Sequence, residues 1–163
     1  MNCALPDGTT APFCVPVTMA PEAMYGTSVS MDANTVIITI STNTGTSVLR
    51  VREPMTGPVT GYIVPGGNGA QLVAALALYM DAPDMSVALS SHDLHSKPLT
   101  VQLAGPITFL PDGRIAIAAA NTKDLAFTVN VTAPLSISGG VDMVIKAGEM
   151  HLQLVSPLLR GGL

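Results

Sequence analysis

Polar and apolar positions alternate with a period of two along most of the second half of this chain. Val101 and Leu103 share one face, Ile107 and Phe109 continue it, and Pro111-Asp112-Gly113 supplies turn chemistry. Ile115, Ile117 and Ala119 return from that turn. Leu125, Phe127, Val129 and Val131 form the next set, followed by Leu135 and Ile137. Gly139-Gly140 reads as a turn into Val141, Met143 and Ile145. Lys146-Ala147-Gly148-Glu149 reads as the turn of a last hairpin, with Met150, Leu152 and Leu154 beyond it. Short strands with turn signals roughly every 8–12 residues predict a mainly β fold: an antiparallel sandwich, or a jelly-roll or barrel-like variant.

The first half is less regular. Residues 1–34 carry Pro6, Pro12, Pro16 and Pro21, which remove ladder donors and fix φ. This stretch reads as an extended N-terminal arm, with residues 35–163 as a single β domain. The arm is apolar (Phe13, Val15, Val17, Met19, Met24, Tyr25), so it is expected to lie across a surface, its own or a neighbour's. Thr35 to Ser41 is almost entirely β-branched and predicts a strand. Asn43-Thr44-Gly45 then turns the chain back into Ser47–Arg52 as its hairpin partner. A Pro/Gly-rich crossing follows, with a short strand around residues 61–64. Residues 70–80 admit two readings. Ala, Leu and Gln favour a helix that Asn68 caps, yet bulky Leu72, Leu76 and Leu78 also alternate with small neighbours. The expectation is at most one short helix, over about residues 70–80, ended by Pro83.

Composition adds a constraint. The chain is 48% hydrophobic and 11% charged, less than half the charge of roughly 25% that soluble domains carry. It therefore folds, behind a surface of Ser, Thr, Asn, Gly, Pro and exposed aliphatics that repels neighbours weakly. Copies of itself, or other assembly subunits, are the expected partners. Net charge is −4 with only 7 basic residues, none before Arg50, so no basic patch for nucleic acid can be built. The longest apolar run of residues 54–80, Leu72 to Met80, is under half of the ~20 residues a membrane helix needs. No basic start followed by an apolar run opens the sequence, so no secretory signal is read there. Cys3 and Cys14 are the only cysteines; a disulfide tying the Pro-rich start and two free thiols both remain open. The nine methionines read as flexible filler in a core poor in aromatics.

Candidate chemistry is thin. In Ser91-His92-Asp93-Leu94-His95 the two histidines could share a metal, with Asp93, Glu149 or His151 assisting. Spacing supplies two ligands where sites need three or four, and a polar loop explains the stretch as well. Adjacent Ser, His and Asp cannot form a relay, and no G-x-S-x-G elbow presents a nucleophile. Cys14 with a histidine partner fares no better. Pro65-Gly66-Gly67-Asn68-Gly69-Ala70 could cradle an anion at a helix start, but it lacks the Lys and Ser/Thr of a P-loop. Asn130-Val131-Thr132 matches a glycosylation sequon inside a predicted strand. The expectation is no catalytic, cofactor-binding or metal-binding residue, and no enzyme.

In general texture the chain resembles small β proteins of viral particles (coat, decoration or tail components), which are short of charge, rich in Thr, Gly, Ala and Val, and equipped with arms. That resemblance implies a structural, self-associating β protein of a larger assembly, located in a virion or extracellular assembly. The alternative is a periplasmic or secreted binding module whose sheet encloses an apolar ligand such as a lipid, since few aromatics fill the interior.

Overall fold

The computed structural model describes residues 2–19, 24–26, 30–34, 39–43, 47–51, 59–82, 85, 91–133 and 137–158. Among these there is no helix, and antiparallel strands pack as two sheets with a small hairpin at the N-terminus. The predicted antiparallel β-sandwich class is what the chain forms.

The hairpin pairs β1 (Cys3–Ala4) with β2 (Thr10–Ala11). The larger sheet contains β3 (Val15–Met19), β4 (Met24–Gly26), β7 (Ser47–Val51), β8 (Val59–Gly66), β9 (Gly69–Asp81), β11 (Lys97–Phe109), β12 (Ile115–Asn121) and β15 (His151–Val155). The smaller sheet runs β10 (Ser91–His92), β13 (Leu125–Ala133), β14 (Ile137–Ile145), β5 (Ser30–Asn34) and β6 (Thr39–Asn43), in that order.

The proposed helix over residues 70–80 is a strand. β9 pairs with β11 from Met80↔Lys97 to Gln71↔Pro106. Its other edge is shared, residues 69–74 pairing with β8 and residues 78–81 with β7. Leu72, Ala74, Leu76, Leu78 and Met80 all point into the core and are at most 1% exposed. A helix would scatter these positions around its axis, so burial of one period-two face overrides the helix propensity of Ala and Leu. Asn68 is no cap. With Gly67 it forms the two-residue turn of the β8–β9 hairpin, followed by Gly69 at φ +128°.

Three further expectations change. β6 and β7 are neighbours in sequence but not a hairpin: β6 pairs with β5 in the smaller sheet, and β7 with β9 and β4 in the larger. Residues 35–38 of the expected strand lie outside the described residues. Gly139 and Gly140 do not turn the chain; they sit inside β14, opposite Val131 and Asn130. The 146–149 turn is real, with Gly148 at φ +86°, yet it carries the chain from β14 in one sheet to β15 in the other. The β11–β12 hairpin around Pro111-Asp112-Gly113 forms as expected, with Gly113 at φ +83°.

The core lies between the sheets. Leu76, Leu78, Val101 and Leu103 of the larger sheet meet Leu125, Val129, Met143 and Ile145 of the smaller, and Met80, Met85 and Met150 fill in around them. Gly105 is required by close approach, because a Cβ there would overlap the Ala118 carbonyl oxygen of β12. A second, smaller cluster sits on the opposite side of the larger sheet. There Ala11 of the N-terminal hairpin covers Val64 and Val73, with Leu5, Cys14, Tyr62 and Ala104 packed around them. A Cys3–Cys14 disulfide, with Cα atoms 6.1 Å apart, closes this cover.

The described strands β3, β4 and β5 of the segment read as an arm are built into the two sheets of their own chain. β3 pairs with β8, β4 with β7, and β5 with β14 and β6. Val17 packs against the main core, while Phe13 and Val15 remain 59% and 42% exposed.

Candidate functional site

The Ser91–His95 stretch forms β10 and the loop after it, against the edge of β13. The Leu94 N–H donates to His92 Nδ1 at 3.2 Å, so Nδ1 carries no proton. The ring's proton is then on Nε2, which donates to the Met85 carbonyl at 3.0 Å. Both nitrogens are engaged, Nδ1 with Leu94 of its own loop and Nε2 with the Met85 carbonyl, and neither is free for a metal. His95 is exposed and stacks on His92 with centroids 5.7 Å apart.

Asp93 does not face a histidine. Its carboxylate accepts the Asn130 N–H and the Asn130 side-chain amide, both at 2.7 Å, and Lys97 stands 3.6 Å away. Desolvation pushes this carboxyl up, but the Asn130 bonds and Lys97 outweigh it and hold it below the usual carboxylate range. Ser91 pairs with Thr132 at the sheet edge, so no Ser–His–Asp relay exists here. Glu149 lies in the turn after β14, and His151 opens β15, exposed. Among the described residues, no three His, Cys, Asp or Glu side chains come together as a possible metal site. Cys14 is in a disulfide and is no nucleophile. The 65–70 stretch turns one strand into another, so no helix start stands behind it to attract an anion. Asn130 of the sequon is exposed on β13, its amide held by Asp93.

The polar residue that sequence reading passed over is Asn121, only 2% exposed. Its Nδ2 donates to the carbonyls of Lys123 and Lys146, both at 2.9 Å, and its Oδ1 accepts the Met150 N–H at 2.9 Å. Both amide donors and the carbonyl oxygen are therefore engaged in clasping the turn that switches sheets. A signal was present: Asn121 falls where the Ile115, Ile117, Ala119 alternation calls for an apolar side chain.

The outer surfaces differ in chemistry. The larger sheet presents Ala75, Ala77, Ala116, Ala118 and Ala120 beside the hairpin cover. The smaller presents Thr128 bonded to Asp142 at 2.8 Å and Thr132 to Ser138 at 3.0 Å. Three large apolar side chains are exposed near one end of β11, β12 and β15: Phe109 at 68%, Val155 at 55% and Leu158 at 60%. The register sets Phe109 opposite Ile115, on the core-facing side of the sheet, and Val155 opposite Ala116, on its outer side.

Fold and surface together define an antiparallel β-sandwich module with an apolar core between its sheets and a disulfide-tied cover. No family model matches the chain, and no solved structure matches it significantly. It is similar to Alkane uptake protein B of Marinobacter nauticus, 25% identical over 173 aligned residues. The match takes in 92% of this chain but only 16% of that protein's length.

Proposed function

We propose that the chain is a structural, self-associating β-sandwich module acting outside the cytoplasm as one unit of a larger assembly. The observation that carries this reading is the exposure of the large apolar side chains Phe109, Val155 and Leu158 on a chain short of charge. An oxidising setting is supported by the Cys3–Cys14 pair. Sedimentation velocity on the intact, disulfide-bonded chain over a wide concentration range tests it. Mass is expected to grow with concentration, and a monomer throughout overturns the reading.

A second reading, binding of an apolar ligand, is favoured by the similarity to a segment of Alkane uptake protein B. The side chains filling the space between the sheets argue against an enclosed cavity, so such a ligand would adsorb on the outer surface. Native mass spectrometry that retains a lipid or alkane on a monomer would favour this reading over the first.

A further inference from the structure

We propose that the module pairs with a second copy of itself along the free edge of β15, antiparallel and centred on Gln153. This rests on the self-association reading above and names the surface that performs it. Among the described residues, the backbone of β15 has one occupied and one open side. The Met150 carbonyl accepts the Asn121 N–H at 3.1 Å, and the Ser156 N–H donates to the Ile115 carbonyl at 2.9 Å. Even-numbered residues thus turn their backbone groups toward β12. Those of His151, Gln153 and Val155 turn outward, where no described strand pairs with them.

Exposed edges are normally blunted by charge, by proline or by brevity. Edge strand β3 carries Pro16, while β4 and β10 have three and two residues. β6 is five residues of Thr, Ile, Ser, Thr and Asn. β15, His-Leu-Gln-Leu-Val, contains no Asp, Glu, Lys, Arg or Pro, and it is the edge with exposed Val155 and, just beyond it, exposed Leu158.

The strand is also complementary to itself. A two-fold axis at Gln153 sets His151 opposite Val155 and Leu152 opposite Leu154, with no like charges opposed. All three outward-turned residues then fall in hydrogen-bonded pairs, and Leu152 and Leu154 extend the core-facing side of the sheet across the axis.

Sedimentation equilibrium on three variants tests this. Gln153 is exposed, so Gln153→Lys and Gln153→Glu leave the fold intact, as circular dichroism will check, but set like charges face to face across the axis. Each is expected to weaken association about fivefold or more. An equimolar mixture of the two is expected to restore it. Ala126→Lys, on the outer face of the other sheet, adds the same charge and is expected to change nothing. Association of the unsubstituted chain that neither Gln153 variant weakens overturns the β15 interface and leaves self-association standing. A wild-type chain that stays monomeric overturns both.

Discussion

The two sheets share a core but turn opposite chemistries outward, and the difference shows what each outer face has to accomplish. On the smaller sheet the outward positions include Thr128, Asn130, Thr132, Ser138 and Asp142, which bond to one another and to Asp93 along the pleat. These described positions are polar and satisfied at the surface. On the larger sheet the outward positions include Val64 and Val73, each under 5% exposed because the disulfide-tied hairpin lies over them. A sheet with apolar residues on both faces needs a cover on both. Residues 3–14 supply the second cover, and the disulfide between Cys3 and Cys14 holds it shut.

Charge placed beneath the cover is expected to be far more damaging than polar loss on the open face. Val73→Asp buries an unpaired carboxylate under the hairpin and should destabilise by about 4 kcal/mol, read from urea denaturation. Asn121→Ala, at the seam where the chain changes sheets, strands two carbonyls and an N–H and should cost about 3 kcal/mol by the same measurement. Removing the disulfide by paired Cys3→Ser and Cys14→Ser should cost about 2 kcal/mol. It should also speed hydrogen exchange at Val64 and Val73 while leaving β13 and β14 unchanged. Thr128→Ala, on the open face, should stay within about 0.5 kcal/mol. Equal effects from Thr128→Ala and Val73→Asp would abolish the distinction between the faces.

The smallest effect concerns pH. Asp93 is held below the ordinary carboxylate range, so its contribution is present above the unfolded value and lost as pH falls below about 4. Asp93→Asn should flatten part of that acid limb of the stability profile. Asp7, Asp112 and Asp124, whose carboxyls are also held low by hydrogen bonds to neighbouring residues, should retain the rest.

Local chemistry was legible in the sequence wherever it acts within a few residues. The β11–β12 hairpin follows from alternation on both sides of Pro111-Asp112-Gly113, and β13 from four apolar residues in step. Which sheet a strand joins is not a local property. β6 and β7 carry the same kind of residues and are separated by a turn signal, yet they enter different sheets because their partners, β5 and β9, lie elsewhere. β9 was ambiguous for the same reason: its strand character comes from β7, β8 and β11 satisfying both its edges. For the site, the sequence correctly presented His92 and Asp93 as polar and close. That each is committed to the backbone, or to Asn130, depends on contacts with distant segments that no spacing encodes.

The pairing of β5 with β14 carries a consequence for how the chain is made. Asn34 pairs with Asp142, 108 positions later, and Asp32 with Val144. On a ribosome adding about 5–20 residues per second, β5 emerges several seconds before its neighbour exists. Until then the edge it will give to β14 is an open template, and non-local closure of this kind is slow even once synthesis ends. Newborn chains are therefore most vulnerable to wrong partners during that interval, and a chaperone that shields residues 30–43 would raise the yield more than one acting on the C-terminal strands.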